Sequence, residues 1–136
     1  MSEAMICMTD SVRCTLPAVA ESVPEARRLV TSLAADVTVN EEQVDGVGLA
    51  VSEAVTNAVM YAYELRDGKI QLAARADAGR LSVEVADDGC GLGNSRAEGG
   101  LGLGLSLIEQ LSESLTIGRR ASGGVELKMS FALDQI

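Results

Sequence analysis

The feature that most constrains the fold is a long segment of helical periodicity, Glu41–Tyr63, that carries a carboxylate and an amide on one face. Asn40 and Gln43 have the spacing of a capping pair, which predicts that a helix begins there. Side chains four residues apart share a helix face, so Glu53 and Asn57 project together. Because small apolar residues surround this pair, we expect it to emerge at a cleft or at a helix edge. The residues expected to face the core are Val44, Val47, Val51, Ala54, Val55, Ala58 and Ala62.

Shorter elements flank this helix, and their order predicts the fold class. Periodicity and turn signals predict, in order, a strand at Ser11–Leu16, a helix that opens at Pro24, the long helix, strands at Lys69–Ala76 and Leu81–Ala86, a helix at Leu103–Leu111, and strands at Leu115–Ile117 and Val125–Phe131. This order predicts an α+β fold, a two-layer α/β sandwich with helices on one face of a mixed, mostly antiparallel sheet. Gly46 and Gly48 weaken the long helix, and we expect them to permit its close packing against the sheet.

The composition indicates one acidic domain with an aliphatic core. A chain of 136 residues suits a single domain, 1–136, in which we expect residues 1–9 to form a loose N-terminal tail. Apolar residues make up 47% of the chain, yet it contains one Phe, two Tyr and no Trp, so the core must be aliphatic. The net charge of −9 argues against direct binding of nucleic acid, whose phosphates favour basic surfaces.

The chain lacks histidine, a long apolar run and a basic N-terminus, and these absences exclude further classes of site and segment. The absence of His excludes a Ser-His triad, the common zinc sites and a phosphohistidine on this chain. No apolar run approaches the roughly 20 residues that span a bilayer, and the N-terminus lacks the basic region of a signal peptide. Three widely spaced cysteines do not suit a disulfide framework. We therefore expect a cytoplasmic protein that does not bind membranes.

Two glycine-rich segments after the long helix indicate a nucleotide site. Asp87-Asp88-Gly89-Cys90-Gly91 directly follows a predicted strand, and the run Gly99–Gly104 precedes a predicted helix. Acid and amide oxygens suit a hard cation, and a glycine-rich helix start presents backbone N–H groups to phosphates. Together with Glu53 and Asn57, these segments predict nucleotide binding. Asp88 and Cys90 are expected to be passive loop positions.

Other interpretations of the same residues are available. Glu53 and Asn57 could form a solvated helix stripe, and Asp87-Asp88-Gly89 could be only a hairpin turn. The Gly99–Gly104 run superficially matches a dinucleotide fingerprint, but it does not directly follow a predicted strand and no βαβ unit is evident.

With these motifs in order, the chain resembles the GHKL, or Bergerat-fold, ATPases with their histidine-kinase-like domain, and within them the stand-alone serine kinases that act as bacterial anti-sigma factors. The resemblance covers nearly the whole chain. The segments that carry it are Ser52–Ala58 with Tyr61-Ala62-Tyr63 for the N-box, Asp87-x-Gly89-x-Gly91 for the first glycine box, and Gly102-x-Gly104-Leu105-x-Leu107-Ile108 for the second.

The resemblance implies roles for residues on the long helix. Asn57 would coordinate Mg²⁺ through its amide oxygen, and Glu53 would act as the general base for the attacking hydroxyl. ATP and Mg²⁺ are therefore the expected cofactors.

It also implies roles for the glycine boxes. Asp87 would accept a hydrogen bond from the adenine amino group. Gly89 and Gly91 would let the backbone approach the purine without a Cβ clash. Gly102 and Gly104 would present backbone N–H groups to the phosphates at the start of a helix.

By the same resemblance, the chain would be a serine/threonine kinase that sequesters a sigma factor and phosphorylates a small anti-anti-sigma protein, and it would form a homodimer. Three departures from the family pattern support an alternative, a nucleotide-binding partner-switch module that does no chemistry. Tyr61 replaces a frequent His, Val125 replaces a usual Thr, and the expected ATP lid, Leu92–Gly100, is short. The catalytic half of a sensor histidine kinase fits less well, because the chain has no His.

Overall fold

The predicted order of strands and helices is the order observed. The computed structural model describes residues 11–62, 68–88, 102–121 and 123–135. Within these ranges the elements are β1 (Ser11–Pro17), α1 (Ser22–Val37), α2 (Glu41–Ala62), β2 (Lys69–Asp77), β3 (Arg80–Asp87), α3 (Gly102–Leu111), β4 (Ser114–Arg119) and β5 (Val125–Ala132). The expected N-terminal tail lies outside the described residues.

The strands form one sheet in the order β1-β2-β3-β5-β4, and each of the four described pairings is antiparallel. Alternate residues of the inner strands are buried beneath the helices, as the period of a strand requires. Helices α1 and α2 pack on this face, and α3 contacts α2 and β4. The arrangement confirms the predicted α+β sandwich. The largest fully buried side chains are aliphatic or Met apart from Thr38, which confirms the expected aliphatic core.

A two-residue turn sets the register that places Asp87. Ala78 and Gly79 join β2 to β3 with φ angles of 54° and 80°, the left-handed pair that a tight hairpin needs. From this turn the ladder runs from Asp77 opposite Arg80 to Ile70 opposite Asp87. The carboxylate of Asp87 is thereby fixed at the far end of β3, two strands in from the sheet edge at β1.

The start of α2 confirms half of the predicted capping pair. The backbone N–H of Gln43 donates to Asn40 Oδ1 at 3.2 Å, as an N-cap requires. The reciprocal bond differs, because the Asn40 N–H donates to Thr38 Oγ1 instead. Gln43 Oε1 accepts a hydrogen bond from the Asp134 N–H at 2.8 Å, which ties the helix start to the segment after β5. No helix in the described ranges is both long and apolar enough to cross a membrane.

The expected role of the two glycines in α2 is wrong. A Cβ on Gly48 would lie 2.9 Å from Thr31 Cγ2 and 3.0 Å from Arg27 Nε, so this glycine allows α1 to approach rather than the sheet. A Cβ on Gly46 would meet only Leu111 Cδ2 of α3, at an ordinary 3.7 Å. Helix-to-helix packing therefore explains Gly48, because α1 crosses α2 at that point.

Candidate nucleotide site between α2 and the end of the sheet

A narrow cleft separates the second half of α2 from the ends of β3 and β5. Its described lining consists of Ala54, Asn57, Ala58, Val85, Asp87, Val125 and Leu127. Two polar residues lie among these apolar walls, Asp87 with 3% of its surface exposed and Asn57 with 8%. The space between the walls is about 10 Å³, which is room for about one water molecule, so a purine would have to move the walls apart.

Larger concavities lie elsewhere in the part of the chain that the structure describes, and two of them serve for comparison. One, of about 560 Å³, lies on the helix-free side of the β1–β3 strands, and another, of about 430 Å³, lies where the start of α2 meets the end of α3. Neither contains Glu53, Asn57 or Asp87. Their linings carry no buried polar group, whereas the narrow cleft carries two. Buried polar groups need partners, so chemistry rather than size marks the narrow cleft as the candidate site.

Asp87 is held at the cleft by the turn that leads into β5. Its Oδ1 accepts a hydrogen bond from the Val125 N–H at 3.4 Å. The chain at Gly124 passes so close that an added Cβ would lie 1.8 Å from the Asp87 carbonyl oxygen. Only glycine fits there, since backbone atoms cannot yield as a flexible side chain would. The carboxylate is therefore buried in a fixed position at the end of β3.

The start of α3 packs directly on the acid–amide pair of α2. A Cβ on Gly104 would lie 3.0 Å from Asn57 Nδ2 and 3.3 Å from Glu53 Oε1, so the missing side chain makes this approach possible. The first N–H groups of a helix have no partner within the helix and attract anions. Helix α3 begins at Gly102, so its N-terminal turn lies beside Glu53 and Asn57.

Asn57 has a buried polar atom without a partner. Its Nδ2 makes no hydrogen bond to any part of the chain that the structure describes. Such groups are rare in native interiors, and an amide left unpaired beside a carboxylate is suited to a ligand. Nδ2 is a hydrogen-bond donor and therefore suits an acceptor such as a phosphate oxygen. Oδ1 of the same amide is an oxygen of the kind that Mg²⁺ takes from proteins, with phosphates and water supplying its other ligands. In the described ranges, no cluster of three acidic or Cys side chains could hold a metal by itself.

One arginine links three parts of the site. Arg120 Nη1 lies 2.7 Å from Gln71 Oε1 of β2, 3.2 Å from the Asp87 carbonyl oxygen and 2.8 Å from Asp88 Oδ1. The expectation that Asp88 is a passive loop position is therefore wrong, because its carboxylate forms an ion pair with Arg120. The matching expectation for Cys90 falls outside the described residues.

The structure brings together four of the seven predicted site residues. Asn57 lines the cleft with Asp87 and also lies against Gly104, next to Glu53. Gly102 begins α3. Gly89, Gly91 and the expected lid at Leu92–Gly100 lie outside the described residues, as does the side chain of Tyr61.

Three residues of the site were missed from the sequence, namely Gln71, Arg120 and Gly124. The Arg119-Arg120 pair before a glycine turn was the available signal, but its partners are far away in the chain. Arg120 and Asp88 are 32 residues apart, and Arg120 and Gln71 are 49 residues apart. Local spacing could not have identified them.

Comparisons with known proteins identify a family and several relatives. Residues 16–131 match the family described as the histidine kinase-like ATPase domain. The anti-sigma F factor of Clostridium acetobutylicum is 31% identical over 121 residues, which cover 79% of this chain and 85% of that protein. The anti-sigma F factor of Clostridium perfringens is 28% identical over 134 residues, which cover 90% of this chain and 96% of that protein. The serine-protein kinase RsbW of Listeria innocua is 33% identical over 86 residues, which cover 62% of this chain and 55% of that protein.

The residues that match this family run from Leu16 in β1 to Phe131 in β5, so they span every other described element. The chain therefore belongs to the GHKL family of histidine kinase-like ATPase domains, in the group that contains the anti-sigma factor kinases.

Proposed function

We propose that this protein is an ATP-dependent serine/threonine kinase that acts as an anti-sigma factor. It sequesters a sigma factor and phosphorylates a small anti-anti-sigma protein that antagonises it. The observation that carries the proposal is the buried, unpaired amide of Asn57 between Glu53 and the cleft that contains Asp87. The relatives named anti-sigma F factor and serine-protein kinase support the two halves of the proposal.

The purine end of the proposed site is the cleft itself. Asp87 accepts a hydrogen bond from the exocyclic amino group of adenine, a group that guanine lacks at that position. The apolar walls, Ala54, Val85 and Leu127 among them, cover the faces of the ring. By the family resemblance, Gly89 and Gly91, which lie outside the described residues, would allow the backbone to approach the purine.

The phosphate end of the proposed site lies where α3 begins. The backbone N–H groups at Gly102 and Gly104 bind phosphate oxygens, and the helix dipole favours their negative charge. Asn57 holds Mg²⁺ through its amide oxygen. The metal, when bound, neutralises phosphate charge in the transition state.

Glu53 is the proposed general base. The Ser or Thr hydroxyl oxygen of the antagonist attacks the γ-phosphorus, the hydroxyl proton passes to Glu53, and ADP leaves with the electron pair of the broken P–O bond. Glu53 is half-buried on α2, beside the start of α3. From there its carboxylate can serve the phosphate end without entering the purine cleft.

The experiment is transfer from γ-labelled ATP to the antagonist protein by purified protein. Glu53→Gln should reduce transfer by at least about 100-fold while ATP affinity changes little, since general-base catalysis contributes about 10² to 10⁴ in rate. Glu42→Gln makes the same change at the exposed start of α2 and should leave transfer unchanged. Equal transfer by the Glu53 and Glu42 variants would refute the assigned base.

A second function is favoured by the wall of the cleft. Val125 has 5% of its surface exposed beside Asp87, and its side chain offers no hydroxyl to a water at the adenine. A regulatory module that binds ATP and changes partners without chemistry fits this observation. Calorimetry that shows ATP binding without any labelled product would establish this second function, and measurable turnover would exclude it.

Sedimentation of the purified protein tests the proposed homodimer. A mass of one chain across the accessible concentration range would contradict it.

A further inference from the structure

Arg120 directly follows β4, and its side chain reaches across the end of the sheet to Gln71 and to the first two residues of the first glycine box, Asp87 and Asp88. Its Nη1 has two hydrogens for three acceptors, which are Gln71 Oε1, the Asp87 carbonyl oxygen and Asp88 Oδ1. The hydrogens must therefore be shared. Its side chain is 33% exposed, so the ion pair with Asp88 is only partly screened by solvent.

We infer that Arg120 is a positioning residue that holds Asp87 in register with the bound base, and that it thereby sets adenine affinity and selectivity without touching the nucleotide. This inference rests on the proposed role of Asp87 as the residue that recognises adenine.

The contacts around Asp87 show what Arg120 contributes. The hydrogen bond from the Val125 N–H to Asp87 Oδ1 is 3.4 Å long, beyond the usual range for N–H···O bonds. Asp87 is also the last residue of β3, so the chain after it leaves the sheet. Arg120 holds the main chain on both sides of that exit, through the Asp87 carbonyl and through the charged side chain of Asp88. The guanidinium donates at 3.2 Å to the Asp87 carbonyl oxygen and at 2.8 Å to Asp88 Oδ1, and both distances are shorter than that bond.

All three contacts of the Arg120 side chain are made by one nitrogen, Nη1. A lysine could neutralise Asp88, but its ammonium nitrogen lies closer to the main chain than Nη1 does, so we expect it to reach fewer of these acceptors. The main chain at Arg120 is held independently, by Arg120 N–H to Gly124 O at 2.8 Å and Gly123 N–H to Arg120 O at 2.9 Å. Truncating the side chain should therefore preserve the turn and remove only the anchor.

The test compares Arg120→Ala with Arg119→Ala, its exposed neighbour on β4, in the full chain. Affinities for ADP and GDP are measured by calorimetry, and folding is checked by urea unfolding. Arg120→Ala should weaken ADP binding about tenfold and leave GDP binding nearly unchanged, so the ADP-to-GDP preference falls. The ADP affinity of Arg120→Lys should lie between those of the wild type and Arg120→Ala, and the affinities of Arg119→Ala should match the wild type. At saturating ATP, kcat should not change, because Arg120 acts on base binding alone.

Suppose that the wild type prefers ADP to GDP. If Arg120→Ala then keeps the same preference as Arg119→Ala, the inference is overturned and the proposed function stands. A wild type without adenine preference, or an Asp87→Ala variant that keeps the preference, would overturn the proposed function itself. If Arg120→Ala does not fold, Gln71→Ala and Asp88→Ala remove its side-chain acceptors singly. Loss of ADP preference in either supports the inference, and its retention in both refutes it.

Discussion

The two ends of α2 each present an asparagine, and the two side chains differ in how their polar atoms are used. Asn40, at the start, caps the helix through Oδ1 and donates from Nδ2 to Asp134 at 2.9 Å. Asn57, towards the other end, has a buried Nδ2 with no partner in the described part of the chain. The same residue type therefore stabilises the fold in one place and leaves hydrogen-bonding capacity unused in the other. Unused capacity in a buried amide marks a site for a ligand, since a folding role would have found it a partner.

The largest effect is expected from Asn57→Ala. We expect a loss of at least about 100-fold in affinity for ATP with Mg²⁺, equivalent to about 2.7 kcal/mol. The free energy of unfolding should change by less than about 1 kcal/mol, because no hydrogen bond from Nδ2 is lost. Calorimetry with and without a chelator measures the affinity for ATP, and urea unfolding measures the free energy of unfolding. A large loss of stability with unchanged affinity for ATP would show that Asn57 serves folding, as Asn40 does, rather than ligand binding.

Gly104→Ala tests whether the space around Asn57 must stay clear. The new Cβ would lie 3.0 Å from Asn57 Nδ2, so the amide has to move, and we expect ATP affinity to fall about tenfold. Gly46→Ala is the matched control in α2, where the Cβ meets Leu111 at an ordinary distance and should stabilise the helix by roughly 1 kcal/mol. Equal nucleotide affinities for the two variants would show that the approach of α3 to Asn57 has no functional meaning.

Asn40→Ala is the converse substitution at the other end of α2. Loss of the cap and of the bond to Asp134 should lower the free energy of unfolding by about 1 kcal/mol. Nucleotide affinity, measured on folded protein by calorimetry, should remain at the wild-type value. Weakened nucleotide binding would mean that the two ends of α2 are coupled, so that Asn40 affects binding as well as folding.

The smallest effect is expected from Val125→Thr, which adds a hydroxyl beside Asp87. Without nucleotide, the buried hydroxyl should cost about 1 kcal/mol of stability, and ATP affinity should rise a few-fold if a water is held at the adenine. Val83→Thr changes a buried residue of the same sheet away from the cleft. This variant should lose stability to the same extent, but its affinity for ATP should not rise. Thermal unfolding with increasing ATP separates the two contributions.

Local sequence determined the helices and strands and the half of the site that lies on α2. The periodicity of α2, its cap at Asn40 and the shared face of Glu53 and Asn57 all depend on residues within about one helical turn of each other. The aliphatic core and the strand alternation are local in the same sense. For that reason the element order and the sandwich could be predicted, with boundaries that differ by a residue or two.

The tertiary structure decided which distant residues meet. Gly48 was expected to face the sheet, but the crossing of α1 over α2 places it against Thr31 and Arg27. Asp88 was expected to be passive, but the β3-β5-β4 order brings Arg120 to it across 32 residues of chain. The physical reason is the range of the forces involved. Helix periodicity and capping act between near neighbours, whereas the approach of Arg120 to Asp88 exists only after the sheet has chosen its strand order.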